Sequence, residues 1–286
     1  MKLHLPVAVL LLATAACTTA PPPPPPATPG AVVAPAPVVD PAAEDQRLTA
    51  FLDAAFDAQA ARSPQFLTSL GSKEQYDRLN IYTDAYRLEG LALAQSQLQQ
   101  LRAQFDPARL SPAGRLSYRL FEEEVENEVE GVRWRWHGFP ASTNGSPMGS
   151  IPVFLINNHR VDTVADAEAY VARLREVERV MNEISANMRT QAGMGIVPSK
   201  FNFAPVRADG QRVLAGAPFT NGPDTPVFAD FKSKVGKLTI ADAEKARLIA
   251  SAREALPGPF QRGYRTMLAT WDALEPQSGG NRGAWS

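Results

Sequence analysis

The sequence predicts an all-α fold, and three observations carry that prediction. From Glu44 onward, apolar residues recur at steps of three and four, the spacing of one helix face, instead of alternating. One stretch, Thr163–Gln191, holds the spacing without a break through Val164, Ala167, Val171, Leu174, Val177, Met181, Ile184 and Met188. Helix-starting chemistry also recurs at segment boundaries: Thr163 ahead of Asp166, Ser111 before Pro112, and Thr239 ahead of Asp242. At about 1.5 Å per residue the Thr163–Gln191 helix is on the order of 40 Å long, so its stripe needs other long helices beside it. Gly193 is its expected stop, since glycine enters the left-handed region cheaply.

The chain has 286 residues, is 44% hydrophobic and carries a formal net charge of −1. That length allows one or two domains with a sizeable core. The near-neutral charge argues against nucleic acid as the main partner, because phosphate binding needs a basic stripe. One cysteine permits neither an intrachain disulfide nor a thiolate metal cluster, and outside the leader only His137 and His159 remain.

Residues 1–16 read as a signal peptide, with basic Lys2, an apolar run Leu5–Ala16 and small residues before Cys17. The run is too short for a permanent membrane span. Leu12-Ala13-Thr14-Ala15-Ala16-Cys17 resembles a lipobox, which makes Cys17 the lipidated N-terminus of the mature chain, although Thr14 stands where a larger aliphatic residue is usual. The alternative is an ordinary signal peptide cut beside an incidental cysteine, giving a secreted periplasmic protein. A free thiol in an oxidising compartment is a liability, which favours lipidation. More than one acyl chain would anchor the protein stably. Thr18, in place of Asp, directs the expectation to the outer membrane, with the protein facing the periplasm. Residues 17–43, with six consecutive prolines at Pro21–Pro26, cannot form a core and read as a stalk extending at about 3.1 Å per residue. A ligand for a proline-binding module is the weaker alternative.

The helical domain is expected over 44–286. Leu48, Phe51, Leu52, Ala55 and Phe56 mark a first helix that breaks near Ser63-Pro64, and Gln65–Asn80 reads as a turn-rich connection. A second helix runs from about Asp84 to Phe105, and a third from Ser111-Pro112 through Tyr118, Phe121, Val125, Val129, Val132 and Trp136. The third carries Glu122, Glu123, Glu124, Glu126, Glu128 and Glu130. Clustered carboxylates can bind metal or share a proton, but these wrap around more than one face and no histidine stands at ligand spacing. They read as a solvated face paired with Arg115, Arg119, Arg133 and Arg135.

Gly138–Arg160 and Met194–Leu238, both rich in Gly and Pro, are expected to be long irregular segments. Asn157, Asn158, His159 and Arg160 gather polar groups in the first and are candidate substrate contacts; the competing reading is that they cap or pin the loop. In the second, Asp209-Gly210 between short apolar runs signals a small β-hairpin near 206–213. Helix returns from Thr239 to about Leu256, and Pro257 and Pro259 open a last helix facing inward with Phe260, Tyr264, Met267, Leu268, Trp271 and Leu274. A glycine-rich tail, Ser278–Ser286, holds Trp285.

No reactive constellation accompanies this architecture. HExxH, paired histidines, GxSxG and SxxK are absent from the sequence, and Gly193-Met194-Gly195 follows a helix instead of a strand. No catalytic residue and no metal ligand is therefore assigned in this chain.

Several stretches nevertheless resemble the N-terminal half of a bacterial family catalogued as domain of unknown function 885. They are Pro147-Met148-Gly149, Asp162–Leu174, Met188-Arg189 with Gly193–Pro198, and Gly283-Ala284-Trp285-Ser286. The resemblance implies a largely helical lipoprotein related to zinc metallopeptidases, hence a hydrolase in the whole protein. It places an HExxxGH-like motif and its zinc in a second half that would follow this one, so the chain is expected to be truncated before the zinc-binding half and inactive alone. It implies a non-catalytic half that walls a substrate cleft, with a peptide substrate or a separately encoded C-terminal half as partner. A tethered binding or scaffold lipoprotein without enzymatic activity is the alternative.

Overall fold

Asp40 caps the first helix, α1 (Pro41–Ala60), its carboxylate accepting from the Ala42 amide at 3.0 Å. The helix thus begins ahead of the expected Glu44, with Pro41 in the position where its missing N–H costs nothing. In this computed structural model residues 40–279 are described. The signal peptide, Cys17, the stalk prolines Pro21–Pro26 and the closing segment with Trp285 lie outside them. Every regular element among the described residues is a helix, with no strand beyond isolated bridges at Ser142–Gly145 and Ala217–Asp224.

The short α2 (Pro64–Ser69) follows α1, capped by Ser63. Next come α3 (Asp84–Gln104) and α4 (Pro112–Gly131), which pack with α1 around Leu48, Leu98, Leu101, Phe105, Tyr118 and Val125. The Asp45 carboxylate receives both the amide and the hydroxyl of Ser111, which fixes the start of α4 on α1.

The larger core surrounds α6 (Val164–Gly193). Both halves of its expected capping box are present: Thr163 Oγ1 accepts from the Asp166 amide, and Asp166 accepts from the Thr163 amide at 2.9 Å. Seven of the eight stripe residues are buried, Val164 partly so; Tyr170, Arg173, Val180, Ser185 and Gln191 are buried as well, so α6 is covered over a wider arc than the stripe alone required. Its stop is displaced by two residues, because Gly195, not Gly193, takes the left-handed conformation (φ 78°).

Both stretches expected to be irregular contain helices. The first holds α5 (Pro147–Asn158), with Met148, Ile151 and Leu155 buried at helical spacing. Pro152 inside it cannot donate to the Met148 carbonyl, and the Tyr264 hydroxyl donates there instead, at 2.5 Å. At its far end the carbonyls of Leu155 and Ile156 accept from Lys234 Nζ at 3.0 and 2.8 Å. The second holds α7 (Phe203–Val213) and α8 (Pro226–Gly236). The expected hairpin at 206–213 is not formed. Phe203, Val206 and Gly210 are one buried helical face, and Gly210 lies against Met148 so closely that a Cβ there would be 2.5 Å from its sulfur. Burial of that face overrides the turn preference of Asp-Gly.

The helix expected from Thr239 begins at Asp242 instead, as α9 (Asp242–Ala255), with Ala241 at the cap. A π-turn at Leu256–Phe260, where Gly258 leaves helical geometry (ψ −118°), leads into α10 (Gln261–Leu274), whose inward residues are those expected. Trp271 anchors α7, its indole donating to the Phe203 carbonyl at 3.0 Å. No helix among the described residues is long and apolar enough to cross a membrane.

Candidate functional site

A groove of about 640 Å³ opens where α3, the end of α4, the 132–147 connection and α6 meet. Leu91, Ile184 and Tyr82 contribute from the helices and the segment before α3, and Val132, Trp134, Phe139, Pro140 and Pro147 from the connection. Trp134 is 58% and Phe139 42% exposed, high values for aromatic rings beside a cavity. The polar groups are few: Arg87, Glu128, Arg135 and Asn187.

The walls are held by side-chain hydrogen bonds to neighbouring backbone. Buried Gln191 donates from one amide nitrogen to the carbonyls of Trp136 (2.7 Å) and Gly138 (2.6 Å). Asn187 donates to the Tyr82 carbonyl at 2.6 Å, and the Asn202 carboxamide accepts the Thr143 amide at 2.9 Å. Arg135 is spent on Asp84 at 2.9 Å, while its carbonyl accepts from Arg87 at 3.0 Å. These contacts hold the walls of the groove in place.

None of Asn157, Asn158, His159 and Arg160 lines it. His159 is fully buried, and both ring nitrogens are engaged: Nδ1 at 2.8 Å from Arg173 and Nε2 at 2.9 Å from the Asp166 carbonyl. A guanidinium only donates, so Nδ1 accepts and the proton sits on Nε2. Burial pushes the His159 pKa down to about 3, and the ring is neutral. Arg173, also fully buried, donates further to Thr68 Oγ1 (2.7 Å) and the Arg78 carbonyl (2.9 Å); burial lowers its pKa to about 10, which leaves it charged. The Tyr76 ring lies tilted against His159, centroids 4.1 Å apart, and its hydroxyl is bonded to the Arg160 backbone, accepting from the amide at 2.8 Å. The Arg160 guanidinium reaches Asp162 at 3.6 Å. Asn157 is exposed and Asn158 half-buried at the end of α5. The geometry of His159 is that of a pin joining α2, α5 and α6.

The acidic run of α4 is a solvated face, with Arg119 and Arg133 among its partners as expected, Arg102 added, and Arg115 and Arg135 turned elsewhere. Arg102 of α3 bridges Glu122 (2.7 Å) and Glu126, while Arg119 pairs with Glu123 and Arg133 with Glu130. Arg115 instead donates to the Leu110 carbonyl, and Arg135 to Asp84. Among the described residues no group of three or more His, Cys, Asp or Glu is placed to hold a metal. With both His159 nitrogens committed, these residues do not fit zinc.

In the sequence Trp134-Arg135-Trp136 read as the end of the third helix, which stops at Gly131 instead, and Gly138-Phe139-Pro140 opened a stretch read as irregular, so neither signalled a groove. The Gly138–Arg160 stretch does contribute lining, through its first residues, whereas nothing from 194–238 does.

A family described as a bacterial protein of unknown function, DUF885, matches residues 64–284. Among solved structures, the crystal structure of a presumed lipoprotein from Colwellia psychrerythraea is similar in fold, with a TM-score of 0.70 at 14% identity. The likeness covers 85% of this chain but 43% of that one, so the chain spans less than half the length of the protein it matches. No curated protein matches the sequence.

Proposed function

The chain belongs to the DUF885 family, and from that premise we propose that it is the non-catalytic helical half of a larger zinc-metallopeptidase-like envelope lipoprotein, walling a substrate cleft. One observation carries this reading: nearly the whole described fold corresponds to less than half of a longer protein. Peptide would be the substrate, and a separately encoded C-terminal half the partner. Cys17 and the lipoprotein description of the Colwellia psychrerythraea protein support attachment through an N-terminal lipid to the outer membrane, facing the periplasm. The domain plan is the one read from sequence: signal peptide 1–16, anchor and stalk 17–43, helical domain 44–286.

A second reading, a tethered binding or scaffold lipoprotein without enzymatic activity, is favoured by the groove. The zinc content and peptide-hydrolysing activity of the purified chain test the first proposal. Stoichiometric zinc, or turnover by this chain alone, overturns the non-catalytic assignment. Mass spectrometry of the mature N-terminus tests the anchor: an unmodified Cys17, or removal of Cys17 with the leader, rejects lipidation.

A further inference from the structure

We propose that the groove beneath Trp134 and Phe139 binds short peptides with free termini, seating one large apolar side chain between the two rings. This names the ligand of the cleft wall, and it rests on the proposed function only for the idea that peptides reach it.

Three features point to that ligand. A volume of about 640 Å³ is the size of a small-ligand site, enough for a few residues and too small for a folded partner. Its surfaces are rings and branched aliphatics: Trp134, Phe139, Pro140, Pro147, Leu91 and Ile184. They suit an apolar side chain, which gains by leaving water, and offer little to a sugar or a phosphate.

The third feature is charge. Arg135 is already neutralised by Asp84, which leaves Arg87 and Glu128 as the groove's ionised groups without an ion-pair partner among the described residues. They have opposite signs. A fatty acid or a phosphate would satisfy Arg87 but face the Glu128 carboxylate, and a cationic amphiphile would have the reverse fault. A zwitterion satisfies both, with its carboxylate toward Arg87 and its ammonium toward Glu128. Gln191 and Asn187 hold the walls in place, so little ordering has to accompany binding.

Isothermal titration of the tripeptide Ala-Phe-Ala, free at both ends, into the full chain tests the proposal, with tryptophan fluorescence as a second readout. Saturable one-to-one binding is expected. Acetylating and amidating the ends should weaken it at least about tenfold, as should Trp134→Ala. Glu128→Gln and Arg87→Gln should each weaken it several-fold. Trp134 and Glu128 are exposed, so their variants should keep the parent melting curve, whereas Arg87→Gln also removes the donor to the Arg135 carbonyl and is read beside its own melt. Absence of binding at about 10 mM peptide, equal binding of the capped peptide, or unchanged affinity in Trp134→Ala overturns the site. The outcome is separable from the proposed function: a chain that hydrolyses peptides alone overturns the non-catalytic reading and leaves this site standing.

Discussion

Gly263→Ala is the substitution on which local preference and tertiary structure disagree in sign. Replacing a helical glycine by alanine should gain at most about 1 kcal/mol from backbone preference. In α10, however, a Cβ at Gly263 would lie 2.8 Å from Glu178 Cα and 2.9 Å from the Val177 carbonyl oxygen. Ordinary contacts of this kind are about 3.5–4.0 Å. Both obstructing atoms are backbone of α6, which no rotamer change can move, so α10 must back away by roughly 1 Å. That loosens an interface holding Val177, Val180, Met181, Tyr264 and Met267, all fully buried. Overpacking of this kind costs about 1–3 kcal/mol, which outweighs the helix preference. Because both atoms are backbone the upper part of that range applies, leaving a net loss of about 1–2 kcal/mol. At about 2–4 °C per kcal/mol for a domain of this size, Tm should fall by roughly 2–8 °C. Gly131→Ala is the control, because a Cβ at the end of α4 meets nothing within 4 Å. Circular-dichroism melts of both variants decide the matter. A Gly263→Ala protein as stable as the parent, beside a neutral or stabilised Gly131→Ala, would refute the close-approach argument.

Arg173→Met keeps bulk but strands His159 Nδ1, Thr68 and the Arg78 carbonyl, and urea unfolding should show a loss of about 3–5 kcal/mol. His159 adds a pH dependence. Its folded pKa of about 3 lies below the unfolded value of 6.5, so the unfolded state takes up the proton first and stability drains as pH falls from about 6.5 towards 3. The slope from this group is about 1.4 kcal/mol per pH unit; His159→Gln, whose amide can both accept from Arg173 and donate to Asp166, should flatten it, and an unchanged slope in acid titrations rejects the assignment. Asp166 works in the same direction. Burial raises its carboxyl, but Lys73 and the amides of Asp162 and Thr163 outweigh it and hold the pKa below the usual value, so its contribution also fades in acid. Tyr264→Phe should cost about 1–3 kcal/mol in a thermal melt, because it orphans the carbonyl that Pro152 cannot serve.

Periodic signals were legible wherever one helix carried them whole. The α6 stripe, its Thr163–Asp166 cap and the inward face of α10 are local patterns, and local rules read them. The acidic face of α4 was legible as solvated, but its arginine on α3 was not, since nothing in sequence links Arg102 to Glu122 and Glu126. The groove was illegible for the same reason. Arg87, Glu128, Phe139 and Asn187 are scattered along the chain and converge only when α3, α4 and α6 pack. Gathering polar residues at 157–160 drew attention to a neighbourhood whose histidine is buried and fully bonded.

By itself, the sequence determined that the chain is helical, which helix is central and where that helix begins, because spacing and capping act within a few residues. Whether α5 and α7 exist was decided by tertiary structure alone. Asp209-Gly210 prefers a turn, and Pro152 leaves a carbonyl open, so neither segment favours helix on its own terms. Met148 filling the space at Gly210, and the Tyr264 hydroxyl reaching the Met148 carbonyl across 116 residues of sequence, supply what those segments lack. Burial and a distant donor override local preference there, and no local pattern encodes either.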